Sequence, residues 1–462
     1  MGKLEPIIRD ILFENGGIIL EDFFVKKLSS DIDLEEDKIN KSIQKLISKN
    51  KLFRVEEKYL SLSDFGDTQE NKINELLNKL VYDKFLFKNP KLQNGKEFCD
   101  NLIFFDQTLI IFQSKTKDYT KIDEFDRFRK KCIDNAINQL NTSISWARNN
   151  SVIKKFKNNL GNEIELKSKD IKKIIGVCVS YFHPDKDYFI TKGNAINLKN
   201  KEEIANILTY QELVKIIEYN DTLPEFIEYL DKRRILVQKN VPLLSERTIL
   251  SYFFSTNRTM IPEKMSEDEF DKVSLLIIDD GFEDSLEKGE LSDKLKKRAE
   301  LNKNSYFIDM IINKILPKAS SEDNTFFIEL INLNRFQRRL IANQIWPVYT
   351  NFIKGKSDFR APFISIDKKL NILFLFSRKL QDVKENEKML ATYTAMMKKK
   401  HSVDRIIGIS ENHYSNGMVN HNFCIMEREI KFDESKLPDS FKEQVNDTSK
   451  IKQLRNIYEF DI

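Results

Sequence analysis

Residues 96–117 read KEFCDNLIFFDQTLIIFQSKTK, and this stretch decides the fold of the chain. It contains two apolar runs rich in β-forming residues, Asn101–Phe105 and Leu109–Phe112. A short polar break, Asp106-Gln107, separates the two runs. Two such runs around a short polar break predict a β-hairpin.

Polar residues stand at the open end of this hairpin. Asp100 precedes the first run, and Gln113, Ser114 and Lys115 end the second. Because side chains alternate along a strand, we expect Gln113 and Lys115 on one face and Ser114 on the other. A carboxylate would then face an amide and an ammonium group. Beside so much apolar surface this grouping is costly unless a metal or a phosphate compensates it.

An Asp, a hairpin turn and a hydrophobic strand ending in Gln-x-Lys resemble the active-site hairpin of the PD-(D/E)XK nuclease superfamily. The match is to its Mrr-type restriction-endonuclease branch, in which Gln replaces the second acidic residue. The resemblance covers residues 73–182, well under half of the chain. It implies an α/β fold with a restriction-endonuclease-like αβββαβ core, and hydrolysis of phosphodiester bonds with Mg²⁺ or Mn²⁺ as cofactor.

The resemblance also implies a role for each polar residue of the hairpin. Asp100 would bind the metal directly, Gln113 would contribute its side-chain carbonyl oxygen, and Ser114 its backbone carbonyl. Lys115 would orient or help deprotonate the attacking water and would offset charge on the phosphorane.

A further carboxylate is expected near the metal, because an amide in place of an acid removes one negative charge. Glu75, in a helix predicted over Ile73–Phe87, is one candidate by its position before the hairpin. Glu97 is the other, provided that a bend at Gly95-Lys96 turns it toward Asp100. The choice between them stays open, and for each the alternative is an ordinary surface carboxylate.

Periodicity predicts the elements around the hairpin. A polar linker is expected before it, a long amphipathic helix after it, then a strand buried on both faces and two further helices. These elements are expected at Ser63–Asn71, Phe125–Arg148, Ile174–Tyr181, Glu202–Glu218 and Leu223–Leu236.

The N-terminal residues resemble a winged helix-turn-helix. Helices are predicted over Glu5–Glu14 and Glu21–Leu28, a third follows the capping-box pair Asp33 and Glu36, and two short strands lie within Leu52–Ser63. One face of the third helix is basic. In the functional interpretation this face contacts the phosphates of duplex DNA, and in the alternative it is a solvated face of a scaffold. Its residues are Lys38, Lys41 and Lys45.

A second stretch repeats the pattern of the first. Residues 358–378, DFRAPFISIDKKLNILFLFSR, follow the hairpin pattern, and VDRIIGIS at 403–410 parallels IKKIIGVCV at 171–179. Self-similarity of this kind predicts a duplicated domain. In this copy apolar residues replace the three site residues, which predicts a degenerate nuclease-like domain. The replacements are Ala361, Phe374 and Phe376.

The helix predicted over Asn334–Ile353 carries the most arginine-dense face of the chain, which we expect to contact phosphates. Its arginines are Arg335, Arg338 and Arg339. The expected domains are a winged-helix-like domain (1–66), a PD-(D/E)XK nuclease domain (70–238), a helical connector (239–320) and the degenerate domain (321–462).

Composition bounds these expectations. The 462 residues include 76 basic and 72 acidic ones, a net charge of +4 that does not by itself imply nucleic acid. The four cysteines lack the spacing of a disulfide framework or a zinc site. We find no signal peptide, no membrane-spanning run and no Walker motif, so we expect a soluble cytoplasmic protein without a membrane partner or an NTP motor.

The expected function is a DNA endonuclease of prokaryotic restriction or anti-phage defence, acting as a homodimer or with a defence-system partner protein. One alternative is a non-catalytic nucleic-acid-binding protein on a nuclease scaffold. The intact set of Asp100, Gln113 and Lys115 argues against it. The other alternative is a nuclease that cleaves RNA or branched DNA.

Overall fold

The computed structural model describes residues 18–20, 25–26, 29, 36–47, 53–55, 59–61, 65–115, 125–180, 194–199, 203–242, 244–262, 264–319, 324–366, 370–380, 383–414, 417–427 and 453–454. The chain divides into two compact units, both of mixed α/β structure. The first unit comprises Met1–Tyr219, Leu230–Ile249 and Glu263–Asp280, and the second comprises Asn220–Tyr229, Leu250–Pro262 and Gly281–Ile462. Residues of the expected connector, 239–320, are distributed over both units.

The described residues of the N-terminal part of the first unit include a small antiparallel sheet of order β1-β3-β2 and an amphipathic helix. The helix, α1, buries Ile39 and Ile43 and exposes its lysines. The predicted helix over 5–14 and most of that over 21–28 lie outside the described residues. The elements are β1 (Ile18–Leu20), α1 (Glu36–Ile47), β2 (Phe53–Val55) and β3 (Tyr59–Ser61).

The rest of the first unit contains a mixed six-stranded sheet, a separate two-stranded sheet and helices. Its elements are α2 (Phe65–Asn78), β4 (Leu86–Lys88), β5 (Asn101–Phe105), β6 (Thr108–Lys115), α3 (Phe125–Arg148), β7 (Lys155–Lys157), β8 (Glu163–Glu165), β9 (Lys173–Ser180), β10 (Ala195–Asn197), β11 (Ile204–Thr209) and α4 (Tyr210–Tyr219). The predicted hairpin, the long helix α3 and the buried strand β9 are confirmed.

The strand order of this sheet is β10-β11-β9-β6-β5-β4. The β5–β6 pair is antiparallel, whereas β9 lies parallel to both β6 and β11. Side chains of α3 at four-residue steps pack on the sheet to form the main core, together with apolar residues of β5, β6 and β9. Because β6 and β9 are parallel, their carboxyl ends meet at one edge of the sheet.

Three predictions of elements in this unit are wrong. The supposed linker over 63–71 is largely helical, since α2 begins at Phe65, and α2 ends at Asn78. Leu86–Lys88 forms an edge strand against β5 instead of continuing the helix. The first half of the helix predicted over 202–218 is β11, an apolar run that pairs in parallel with β9. Short apolar runs do not distinguish a buried strand from a buried helix.

The remaining elements are α5 (Leu223–Lys232), α6 (Arg234–Gln238), α7 (Glu246–Ser255), α8 (Glu267–Asp271), α9 (Gly289–Asn302), α10 (Tyr306–Ile315), α11 (Asn324–Ile331), α12 (Arg335–Ile353), β12 (Phe359–Arg360), β13 (Phe363–Ile366), β14 (Leu370–Leu380), α13 (Val383–His401), β15 (Ile406–Tyr414), β16 (Val419–Met426) and β17 (Gln453–Leu454). The second unit contains a mixed sheet of order β16-β15-β14-β13-β17, with β12 paired to β14.

The sheet of the second unit repeats the pairing order of the first. In each, an antiparallel hairpin is followed by a long helix and by a strand parallel to the second strand of the hairpin. Both parallel strands carry Ile-Ile-Gly where the helix approaches closely. A Cβ atom on Gly176 would lie 3.4 Å from Leu140 Cδ1 of α3, and one on Gly408 would overlap Thr394 Oγ1 of α13.

The register corrects one detail of the repeat. Aligned on the shared glycine, Leu375 occupies the position of Gln113, and Ser377 occupies that of Lys115. The predicted equivalents each lie one residue away from these: Phe374 and Phe376. The connection between the strands of the second hairpin is one residue longer, which shifts the alignment of the two second strands by one position. The carboxylate, amide and ammonium set still does not recur.

Candidate active site

The candidate site lies at the open end of the β5–β6 hairpin. Asp106 and Gln107 form the turn at the other end with φ angles of 45° and 64°, which suit a two-residue hairpin turn. The ladder ends with Asn101 opposite Phe112. Residues just before β5 and at the end of β6 therefore meet at this point.

Asp100 is fixed by its backbone as well as its side chain, and it is only 5% exposed. Its N–H donates to Phe112 O at 3.2 Å, and its carbonyl accepts from the N–H of Asn89 at 2.8 Å. Its carboxylate Oδ2 accepts from the backbone N–H of Ser114 and, at 2.8 Å, from Ser114 Oγ. The carboxylate is therefore held in one orientation.

The expectation that Ser114 points away from the site is wrong. Asp100 precedes the first residue of β5, so the direction of its side chain is not set by the alternation of side chains along the strand. It reaches across to Ser114, whose hydroxyl donates to it. Ser114 thus contacts Asp100 through its side chain, whereas the metal role of its backbone carbonyl stays a prediction.

Gln113 lies between Phe112 and Ser114, which are both hydrogen-bonded to Asp100. Its side chain is 3% exposed, and its Oε1 has no hydrogen-bond partner among the described residues. A buried acceptor without a partner costs about 1–3 kcal/mol. A cation beside Oε1 would remove that cost.

Glu97 is the acidic residue that the structure brings to Asp100. Partial desolvation of this surface carboxyl raises its pKa above the ordinary value, and so do the charge of Asp100 and a hydrogen bond with it. The positive charges of Lys115 and Lys91 act in the opposite direction. Two carboxyls and an ammonium group therefore lie within electrostatic reach of one another at the end of the hairpin.

Glu75 occupies the exposed face of α2. Burial, and then the charge of Glu75, raise the pKa of Tyr210 at the start of α4. Glu75 is not among the groups that shift the pKa of Glu97. Of the two candidates for the additional carboxylate, Glu97 is therefore the one whose pKa shift names Asp100 as a neighbour.

Sequence reasoning missed Ser143 and Asn74, which support the hairpin from its flanking helices. Ser143 on α3 is buried, and its hydroxyl donates to the carbonyl of Phe98, two residues before Asp100. Asn74 on α2 donates to Asn101 Oδ1 at 2.8 Å. A signal was present for Ser143, because it is a polar residue within the apolar face of α3.

The residues predicted to bind nucleic acid fall into two groups. Those on α1 are exposed, as a contact with phosphates requires, and they are Lys38, Lys41 and Lys45. Those on α12 lie in the second unit. Arg339 is half-buried there, with its guanidinium 4.8 Å from the centroid of the Phe336 ring.

The expectation that Arg335 and Arg338 contact phosphates is wrong. Each is only 2% exposed. Arg335 pairs with Asp221 at 2.9 Å, and both arginines pair with Asp309. These acidic partners raise the pKa of Arg335 against the opposing effect of its burial. The arginines are structural cations of the second unit.

The corresponding end of the second sheet carries a different polar cluster. Glu411 is 4% exposed and contacts His413 Nε2 at 2.7 Å, His421 Nε2 at 3.2 Å and the Tyr349 hydroxyl at 3.3 Å. Burial opposes ionisation of Glu411, but its hydrogen bonds with the two histidines outweigh burial and lower its pKa. Burial and the charge of Glu411 raise the pKa of Tyr349 to about 12.

Two absences apply to the described part of the chain alone. It contains no group of three or more His, Cys, Asp or Glu side chains arranged to hold a metal ion. None of its helices combines the length and apolarity needed to cross a bilayer.

No protein-family model matches the sequence, and comparison with curated proteins and with solved structures finds no similar protein.

Proposed function

We propose that this chain is a metal-dependent nuclease that hydrolyses phosphodiester bonds in DNA and acts in prokaryotic defence against foreign DNA. Its catalytic core would be the restriction-endonuclease-like part of the first unit. The observation that carries the proposal is the buried Gln113 Oε1, which has no partner among the described residues, in a residue whose two chain neighbours are both hydrogen-bonded to Asp100.

The donor atoms at the hairpin end fit a hard divalent cation. They are carboxylate and amide oxygens, which are suitable ligands for Mg²⁺, and Mg²⁺ is commonly bound through one or two carboxylates while it keeps several waters. Asp100 and Gln113 would hold the cation through side-chain oxygens, with Glu97 beside them. The unmet hydrogen-bonding capacity of Gln113 supports this assignment.

When bound, such a cation polarises the phosphate and lowers the pKa of water. The residues of the chain supply the rest of the chemistry. Ser114 holds the Asp100 carboxylate in place. Lys115 Nζ, on a half-buried side chain, would place a positive charge beside the phosphate and could exchange a proton with the attacking water.

The exposed lysine face of α1 supports DNA as the polymer. Phosphate contacts of this kind fix the register of a protein on a duplex but do not read its sequence. We therefore expect binding that weakens steeply with salt. The buried arginines of α12 contribute nothing to this surface.

The test is cleavage of plasmid, linear duplex, single-stranded DNA and RNA with Mg²⁺ or Mn²⁺, compared with EDTA. Asp100→Asn and Lys115→Ala should abolish cleavage. Asp170→Asn and Lys169→Ala are matched controls, because both residues are exposed just before β9, at the opposite end of the sheet. These controls should cleave like the wild type.

Cleavage that persists in EDTA or in Lys115→Ala would refute the proposal. Cleavage of RNA alone would change the proposed substrate from DNA to RNA. Duplex binding without any cleavage, in the presence of either metal, would favour the non-catalytic scaffold.

A further inference from the structure

A short β-ribbon over residues 89–100 continues the pairing of β4 with β5 past the candidate site. Beyond the last residue pair of these two strands, the Asn89 N–H donates to the carbonyl of Asp100 at 2.8 Å. Further along, the Phe98 N–H donates to the carbonyl of Pro90, also at 2.8 Å. The candidate site therefore lies at the base of this ribbon.

A three-residue turn closes the ribbon at its tip. The Leu92 N–H donates to the carbonyl of Lys96 at 2.8 Å, and the Gly95 N–H donates to the carbonyl of Leu92 at 2.8 Å. Gly95 has a φ angle of 78°, the left-handed conformation that ends a three-residue hairpin turn. Leu92 is buried in the main core of the first unit, which anchors the tip in one conformation.

The tip is basic and exposed. Residues 88–96 read KNPKLQNGK, with three lysines and no acidic residue. The side chains of Lys91, Gln93, Asn94 and Lys96 are all exposed. Because a turn that is already ordered loses little conformational freedom on binding, these side chains form a prearranged contact surface close to the candidate site.

The two amide side chains of the tip differ in their availability. Asn94 Oδ1 accepts a hydrogen bond from the backbone N–H of Lys96 at 3.1 Å, so this side chain is tied to the turn. Gln93 holds the exposed position before it and offers both an oxygen and an amide group.

We infer that the tip of this ribbon contacts duplex DNA beside the bond that is cleaved, with Lys91 and Lys96 on phosphates and Gln93 on the edge of an adenine in the major groove. This inference rests on the proposed function and names the surface that selects the DNA sequence. The major groove admits a two-stranded ribbon, and a Gln side chain pairs bidentately with N6 and N7 of adenine.

The length of the ribbon limits where this adenine lies. Six residues separate Asn94 from Asp100, and an extended chain rises about 3.3 Å per residue, so the tip lies within about 20 Å of the carboxylate. Since DNA rises about 3.4 Å per base pair, the contacted base would lie within about six base pairs of the cleaved bond.

Duplex binding tests the phosphate contacts without relying on cleavage. The full chain is titrated against a fluorescent duplex in EDTA at several salt concentrations, with fluorescence anisotropy as the readout. Lys91→Gln and Lys96→Gln should each lower the magnitude of the slope of log K against log salt by about one. Lys169→Gln and Lys172→Gln, at exposed lysines just before β9 at the opposite end of the sheet, should keep the wild-type slope.

Sequencing of cleaved ends tests the base contact. A duplex of randomised sequence is cleaved with Mg²⁺, and the wild type should prefer adenine at one position within about six base pairs of the cut. Gln93→Ala should reduce this preference by roughly five- to a hundredfold, the discrimination of one bidentate contact. Gln238→Ala, at an exposed glutamine at the end of α6, should retain it.

Unchanged salt slopes in Lys91→Gln and Lys96→Gln, with folding verified by circular dichroism, would overturn the inference. A wild type without base preference near the cut, or a preference that Gln93→Ala leaves intact, would overturn the base contact. These results leave the proposed nuclease in place when the wild type cleaves DNA with metal. If the wild type cleaves no DNA with either metal, the proposed function fails, and the salt slopes still decide whether the ribbon contacts DNA.

Discussion

Replacing Gln113 by Glu tests whether a cation belongs at the end of the hairpin. The substitution keeps the shape of the side chain but adds a negative charge to a residue that is 3% exposed. An uncompensated buried charge costs roughly 3–4 kcal/mol, within the range found when a buried ion pair loses one partner. Without metal, Gln113→Glu should therefore destabilise the first unit by about that amount.

Thermal unfolding followed by calorimetry measures this effect. For a unit of roughly 250 residues, 1 kcal/mol shifts the unfolding midpoint by about 2–4 °C, so we expect a fall of roughly 6–16 °C in EDTA. If Mg²⁺ binds the native state as proposed, it should restore most of the loss, because a ligand at about a hundred times its Kd contributes about 2.7 kcal/mol.

Gln139→Glu is the matched control. Gln139 lies on the exposed face of α3, and the same change there should alter stability by less than about 0.5 kcal/mol, with or without metal. An equal loss for Gln113→Glu in EDTA and in Mg²⁺ would refute a cation at Gln113. No loss at all would show that the amide of Gln113 is not buried.

Three further predictions concern the second unit. Arg335→Met should cost about 3–5 kcal/mol in urea unfolding, because it leaves Asp221 without its buried arginine and Asp309 with Arg338 alone, and it should not change DNA affinity. Gly408→Ala should cost about 1–3 kcal/mol, because the new methyl group overlaps Thr394. Ionised Glu411 has a lowered pKa, so its contribution to stability is present above about pH 4.5 and is lost as the pH falls through the folded-state pKa. Unfolding midpoints between pH 3 and 7 should therefore fall less steeply for Glu411→Gln.

Each of these predictions has its own control. Arg339→Met, at a half-buried arginine of the same helix, should cost far less than Arg335→Met, and a similar loss would show that the ion pairs contribute little. Thr394→Ala should relieve part of the cost of Gly408→Ala. If the unfolding midpoint of Glu411→Gln fell as steeply at low pH as that of the wild type, the lowered pKa of Glu411 would be contradicted.

The sequence determined the local elements that have a clear period. The hairpin around Asp106-Gln107, the helix Phe125–Arg148 and the strand that begins near Ile174 were all predicted from alternation or four-residue spacing. In these segments hydrophobic period and burial agree, so local pattern suffices. The prediction for Ile204–Thr209 was wrong, because a short apolar run fits either a strand or a helix. Its parallel pairing with β9 makes this run a strand.

The sequence likewise identified the polar residues of the candidate site, but it did not determine how they contact one another. Alternation of side chains predicted that Ser114 points away from Asp100. Asp100 precedes the ladder, however, and its carboxylate accepts a hydrogen bond from the Ser114 hydroxyl. Local spacing could not choose between Glu75 and Glu97, because that choice depends on how the segment before β5 folds back toward the carboxylate.

The arginine-dense face of α12 shows the limit of sequence reasoning most directly. From sequence, Arg335 and Arg338 looked like surface cations, and no nearby residue indicated otherwise. Their partners are Asp309, 26 positions before Arg335, and Asp221, 114 positions before it. Hydrophobic period is encoded by neighbours and is visible in the sequence, whereas the pairing of distant charges is set by tertiary packing, which alone buried these arginines.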